Sequence, residues 1–236
     1  MRLKDQVGVI TGGGRGIGRA MALTFAKEGA HVAIVARTES EIESVAREVM
    51  NLGVRAIAIK TDVSDEDQVE AMVQKAMDEF GRIDILVNSA GVAKHAHIQE
   101  IDTGVWDLTM NVNLRGTMLC TRAIYKRMLK RQSGYIINIS SGAGKHGGSR
   151  YGTYSTSKFG VIGFTQSLAA EGRQHGIKAS VICPGPVATR MRAGNHPGED
   201  PTKIMQSQDI ADVALFLLTQ PRRAYIGEVV VSVFPT

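Results

Sequence analysis

The chain predicts an α/β fold, a doubly wound parallel sheet of about seven strands flanked by helices on both faces. Three observations predict it. Short β-rich runs alternate with longer segments of helical period along all 236 residues. Five glycines crowd residues 12–18, between the first apolar run and the first helical one. Gly29, Gly53, Gly81, Gly134 and Gly176 each stand where a helix should stop.

Taken in order, Val7–Ile10 is a short buried strand, and Arg19 to Leu23 with Phe25 and Ala26 gives the helical period of 16–29. Val32–Val35 follows, then a helix over 39–51, the strand Ala56–Ile59 and a helix over 65–80. Ile83–Val87 is the fourth strand, and 103–131 is expected as one long helix. Ile136–Ile139, a helix over 153–175, Ala179–Ile182, a helix over 208–219 and Glu228–Val233 complete the chain. Such alternation means parallel strands joined by right-handed crossovers. No proline- or serine-rich linker divides the sequence, so residues 1–236 are expected to be a single domain, with a polar, glycine-bearing lid near 189–208.

Composition narrows the function classes. Hydrophobic residues make up 43% and charged ones 22%, the balance of a folded soluble protein. Apolar runs such as Ala214–Leu218 and Val229–Val231 are far too short to span a bilayer, and Met1–Asp5 lacks the apolar core of a signal peptide. Cys120 and Cys183 are isolated in apolar surroundings, which predicts buried reduced thiols and a cytoplasmic location. The net charge of +5 comes from scattered Lys and Arg with no long basic run. An anionic small ligand, or an acidic partner at Lys126–Arg127 and Lys130–Arg131, accounts for it better than nucleic acid.

In doubly wound sheets ligands bind beyond the carboxyl ends of the strands. After the first strand stands Thr11-Gly12-Gly13-Gly14-Arg15-Gly16-Ile17-Gly18, where backbone N–H groups at a helix tip suit a pyrophosphate. An ordinary tight turn is the alternative. The second strand ends in Ala36-Arg37-Thr38 with no carboxylate before Glu39, so Arg15 and Arg37 favour the 2′-phosphate of NADP over the ribose hydroxyls of NAD; either arginine alone could be mere surface charge. Asp62-Val63 and Asn88-Ser89-Ala90-Gly91 follow the third and fourth strands; alone, Asp62 could cap a helix and Asn88 hold a turn. After the fifth strand come Ser140-Ser141-Gly142 and then Tyr154 and Lys158, which share one helix face four residues apart. His95 and His97 lack companion ligands, so no metal is expected. His146 is a candidate for the border of the pocket, though a structural role suits it better. Arg190 and Arg192 fit either an anionic substrate or plain solvation.

Together these residues resemble the classical short-chain dehydrogenase/reductase family over essentially the whole chain. The likeness rests on Thr11-Gly12 with Gly16-Ile17-Gly18, Asp62-Val63, Asn88 to Gly91, Asn113, Ser141, Tyr154 with Lys158, and Pro184-Gly185-Pro186-Val187-Ala188-Thr189. Ser89 departs mildly from the family's Asn-Asn-Ala-Gly. The general look is that of 3-oxoacyl carrier-protein reductases and of relatives acting on sugars, steroids and small alcohols.

The resemblance implies a Rossmann-type fold and an NADP-dependent oxidoreductase interconverting a ketone and a secondary alcohol, its substrate a small molecule that is free or carrier-bound. Tyr154 would exchange the proton, Lys158 would lower its pKa from about 10, and Ser141 would hold the substrate oxygen. Asn113, in the pattern Val-Asn-Leu-x-Gly, would hold a water in a relay to the lysine. Gly12, Gly14, Arg15, Gly16, Ile17, Gly18, Ala90 and Gly91 would line the cofactor. Lys158 and Asn88 would meet its ribose, Asp62 and Val63 its adenine, and Pro184, Gly185, Val187 and Thr189 its nicotinamide end. A dimer or tetramer is also implied, although the tail Gly227–Thr236 lacks the glycine pair common in relatives. Neither nucleic acid nor membrane is expected as a partner. An NADP-binding sensor without turnover and a nucleic-acid-binding protein are the alternatives from other classes.

Overall fold

Seven apolar runs pair as parallel strands in a computed structural model that describes residues 1–234. They are β1 (Val7–Thr11), β2 (His31–Ala36), β3 (Ala56–Lys60), β4 (Ile85–Asn88), β5 (Gly134–Ile139), β6 (Ile177–Pro184) and β7 (Glu228–Val231). Their order across the sheet is β3-β2-β1-β4-β5-β6-β7. Every residue of β1 and β4 is buried, as central strands covered on both faces require. The winding reverses between β1 and β4, which leaves a crevice at their carboxyl ends.

Side chains alternate between the two faces of each strand and so feed two cores. On one face Ile10, Ile34, Ile85 and Ile137 pack against α1 (Gly16–Lys27), α2 (Glu39–Met50) and α8 (Ser207–Leu218) through Met21, Phe25, Ile42 and Ile210. On the other, Val9, Val35, Leu86 and Ile136 meet α3 (Glu66–Phe80), α5 (Gly116–Arg131) and α6 (Gly152–Gly172) through Met72, Leu119, Ile124 and Leu168. Of two shorter helices, α4 (Thr103–Met110) packs against α6 and α7 (Arg190–Asn195) borders the cleft.

Most expected boundaries hold within two residues, and the exceptions have local causes. The segment 103–131 is helical throughout but opens into a π turn at Asn111–Arg115 between α4 and α5. Gly134 does not end α5. Gln132 takes the left-handed position at φ 51°, and Gly134 opens β5, where a Cβ would stand 2.3 Å from the Met128 sulfur. β4 begins at Ile85 rather than Ile83, although just before it Asp84 N still donates to Val7 O and Asp84 O accepts from Tyr135 N, each at 2.9 Å. β7 stops at Val231; of the expected tail, Pro235 and Thr236 lie outside the described residues. The expected lid is not a bare loop, since it carries α7, a 3-10 turn at Pro201–Lys203 and a bridge between Val187 and Met205.

The amino ends of the central strands are tied by one carboxylate. Asp84 accepts from Val7 N at 3.0 Å, from Arg82 Nε at 2.8 Å and from Arg131 Nη2 at 2.7 Å. Burial opposes its ionisation, but the bonds from Arg82, Arg131 and Val7 outweigh it and hold the carboxyl below its ordinary value. The contribution is therefore present above the unfolded pKa of about 3.9 and lost as pH falls through the lower folded value. Asp84→Asn should cost about 2 kcal/mol at neutral pH in denaturant unfolding. That deficit should shrink below about pH 4; a deficit independent of pH would contradict the assignment.

Candidate active site

Why so many glycines follow β1 is answered first by backbone meeting backbone. Gly12 has φ 66°, and a Cβ there would lie 2.8 Å from Ala90 N; at Gly18 a Cβ would lie 2.4 Å from the Gly12 carbonyl. The turns after β1 and β4 are thus pressed together. Thr11 locks them, its Oγ1 accepting from Ser89 N at 3.1 Å and Ala90 N at 3.2 Å. Ligand access explains only part of the run, because Gly13 packs on Ile34 and Gly14 on Glu41. Beyond these turns opens a cleft of about 1320 Å³, walled by the carboxyl ends of the strands.

At the β2 end of the cleft stand Arg15 and Arg37, as expected, but with carboxylates beside them. Arg15 and the lid's Arg190 each approach Glu41 Oε1 at 3.4 Å, and Arg37 lies 3.9 Å from Asp62. Asp62 turns its carboxylate onto Ser64 N at 3.0 Å and Ser64 Oγ at 2.6 Å, while the cap of α3 is Asp65. Asp62 and Val63 both border the cleft, as do Ile17, Ala90, Gly91, Pro184, Gly185, Val187 and Thr189. The Thr189 hydroxyl also accepts from Arg192 N at 3.2 Å and caps α7. Glu41 carried no sequence signal that set it apart from other exposed helix carboxylates.

Deep in the cleft, Ser141, Tyr154 and Lys158 converge. Lys158 is buried, and its Nζ donates to the Ile139 carbonyl at 2.9 Å while lying 5.7 Å from the centre of the Tyr154 ring. Burial takes its pKa down to about 8. Tyr154 is pushed above its ordinary value by burial, against a hydrogen bond with Ser141 and alongside the neighbouring Tyr151. Desolvation is the largest influence on the phenol in the chain without a ligand. Ser141 serves the turn as well, accepting from Ala143 N at 3.1 Å.

Two of the expected site residues are also built into the frame of the fold. The Asn88 side chain does not face the cleft; its Nδ2 donates to Asn138 Oδ1 at 2.8 Å and Thr121 Oγ1 at 3.0 Å, inside a buried ladder that Asn138 extends to Thr165. On β4 this side chain faces Thr121 of α5, and through Asn138 the ladder reaches Thr165 of α6. Asn113 is buried on the π turn and clasps the segment after β4. Its Oδ1 accepts from Val92 N at 2.8 Å, and its Nδ2 donates to Val92 O at 2.9 Å and Ser157 Oγ at 3.0 Å. It thereby joins that segment to α6.

A group that local spacing did not reveal lines the outer cleft. His95, Tyr151 and His196 pack together beside Tyr154, with Tyr151 Oη and His196 Nε2 2.9 Å apart. They come from three distant segments, so no motif announces them. The segment 189–208 is also held by Asn195 Nδ2 donating to Ala93 O at 3.3 Å, and Arg192 is bonded twice to Glu199 at 2.6 Å. His146 does not line the cleft. Among the described residues no group of His, Cys, Asp and Glu is arranged to hold a metal ion, and no helix is long and apolar enough to cross a membrane.

With this geometry established, comparison with known proteins is informative. Residues 6–200 match the family described as short chain dehydrogenase. A 3-oxoacyl-[acyl-carrier-protein] reductase of Synechocystis is 37% identical over 231 residues, covering 95% of this chain and 93% of the relative. An uncharacterized oxidoreductase of Staphylococcus aureus is 34% identical, covering 97% of each chain. Among solved structures, a metagenomic short-chain oxidoreductase in complex with NADP superposes with a TM-score of 0.87 at 34% identity, covering 100% of both chains. Levodione reductase gives a TM-score of 0.90 at 32% identity, covering 98% of this chain and 96% of the other. The family match over most of the chain and relatives above 30% identity along its length establish that the chain belongs to the short-chain dehydrogenase family of oxidoreductases.

Proposed function

We propose that the chain is an NADP(H)-dependent oxidoreductase that interconverts a ketone and a secondary alcohol, with 3-oxoacyl thioesters among the candidate substrates. The observation that carries this reading is the meeting of Ser141, Tyr154 and Lys158 at the deep end of a cleft whose far end bears Arg15 and Arg37. The residues present fit a dinucleotide. Gly16, at φ 55°, has only the Thr189 side chain within 4 Å of a Cβ position, which leaves the tip of α1 open to a phosphate. Arg37 and Arg15 are suited to a 2′-phosphate, in exchange for their long contacts to Asp62 and Glu41.

When bound, the nicotinamide supplies or accepts hydride. The protein's own part is to hold and move the proton. Ser141 Oγ orients the substrate oxygen, and Tyr154 Oη gives that oxygen a proton during reduction or removes one during oxidation. Lys158 keeps a cation beneath the phenol, which favours the phenolate once the proton has left. Asn113 keeps the segment after β4 fixed against α6, so the cleft wall holds its shape. The 37% identical reductase supports a 3-oxoacyl substrate, although the catalytic groups alone serve any ketone.

The test is purified chain with NADPH and a panel of ketones, diketones and 3-oxoacyl thioesters, followed by loss of reduced-cofactor absorbance. Turnover is expected, and Tyr154→Phe should lower kcat by about 10²–10⁴-fold while NADPH still binds. Undiminished turnover by that variant would overturn the mechanism, and tight NADPH binding without turnover across the panel would indicate a sensor instead.

Cofactor choice gives a separate prediction. NADPH should be preferred to NADH in kcat/KM, and Arg37→Ala should erode that preference by roughly 10-fold or more through loss of a charge-assisted contact. Equal rates with both cofactors in the unaltered chain would contradict the phosphate assignment.

A further inference from the structure

The outer cleft carries a feature that the proton-transfer machinery does not use. Three rings from three segments form one wall there. His95 lies on the segment after β4, Tyr151 immediately precedes α6, and His196 follows α7. His95 and Tyr151 are packed with centroids 4.0 Å apart and planes tilted by 33°. His196 closes the group, 5.6 Å from His95 and hydrogen-bonded to Tyr151. The wall reaches the reacting centre, because His95 and Tyr151 present to the Tyr154 ring at 6.1 Å and 6.5 Å, edge to face.

We propose that His95, Tyr151 and His196 are specificity-determining residues that select a carbonyl compound whose reacting carbon lies on or next to a planar, uncharged ring, over a linear acyl thioester. This deepens the oxidoreductase reading above and rests on it. Rings at these separations reward a planar π partner beyond the area it buries, whereas an aliphatic acyl chain gains burial alone. The wall is also rigid. Ala96 N donates to the Arg150 carbonyl at 3.0 Å, fixing the His95 segment to the start of α6, and Asn195 ties the lid to Ala93. A preformed wall costs little ordering when a ligand packs against it.

Charge points the same way. Burial, then the charges of His196, Arg150 and Arg192, hold His95 below the usual histidine range, so it presents a neutral ring at neutral pH. Of the two arginines on the segment that carries His196, Arg192 is bonded twice to Glu199 at 2.6 Å, while Arg190 shares Glu41 with Arg15 through a long contact of 3.4 Å. The wall is therefore suited to an uncharged ring rather than to a charged group.

The experiment compares 1-phenylpropane-1,2-dione with the N-acetylcysteamine thioester of acetoacetate, using the full chain and NADPH. The unaltered protein should favour the aryl diketone in kcat/KM by about tenfold or more. His95→Leu and Tyr151→Leu keep bulk but remove a ring, and each should raise KM for the aryl diketone by about tenfold with little change for the thioester. Tyr151→Phe, which keeps the ring and loses only the bond to His196, should retain most of the preference. A thioester preference in the unaltered chain, or equal losses on both substrates in the leucine variants, would overturn the proposal.

Binding separates this proposal from the catalytic reading. Calorimetry of acetophenone with NADP-saturated protein should show an affinity that either leucine variant weakens, whether or not any substrate turns over. Ring binding without turnover would uphold the wall and overturn the reductase reading. Turnover with no effect of the variants on acetophenone affinity would do the reverse.

Discussion

A lysine ammonium closed off from water, with one backbone carbonyl as its partner, is the constraint on which the cleft is built. Removing Lys158 from solvent costs stability, and its depressed pKa of about 8 expresses that cost. The surroundings are arranged to keep it in place. Ser140 Oγ donates to the Lys158 carbonyl at 2.9 Å, and the neighbouring Gly144 sits where a Cβ would be 2.9 Å from that same carbonyl. The end of β5 and helix α6 can therefore approach closely enough for Nζ to reach Ile139 while the same helix face presents Tyr154.

The remaining walls follow from equally close approaches. Thr11, Gly12 and Gly18 let the β1 and β4 turns touch beside the crevice at the switch point. The π turn rotates Asn113 inward to clasp Val92, an instance of a local break in α-helical register lying at a site. The glycine turn, the buried lysine beside Tyr154 and the ring wall are thus three outcomes of how β1, β4, β5 and β6 meet the segments that follow them.

Periodic and contiguous information was legible in the sequence; information assembled across segments was not. Strand-helix alternation gave the parallel sheet because each buried run and each helical stripe is local. The glycine turn and the Tyr154–Lys158 pair were legible for the same reason. The π turn was not, since residues 103–131 read as one helical period and the break answers to a tertiary clasp on Val92. Gln132 took a left-handed position that pattern assigns to glycine, because Gly134 was needed against Met128. Asn88 sits in a motif, yet a motif does not say which face of a strand a side chain takes. His95, Tyr151 and His196 are dispersed over 102 positions, and only folding makes them neighbours.

The central claim is that Lys158 governs the acidity of Tyr154 when the cleft is filled. In the protein alone, burial holds the phenol above its ordinary value. Ultraviolet titration near 295 nm, taken as the difference from Tyr154→Phe, isolates one tyrosine among five. With saturating NADP, the Tyr154 midpoint should fall well below the value in the cofactor-free chain, and the fall should be absent in Lys158→Met. A midpoint that NADP leaves unmoved, or that moves equally without the lysine, would contradict the account.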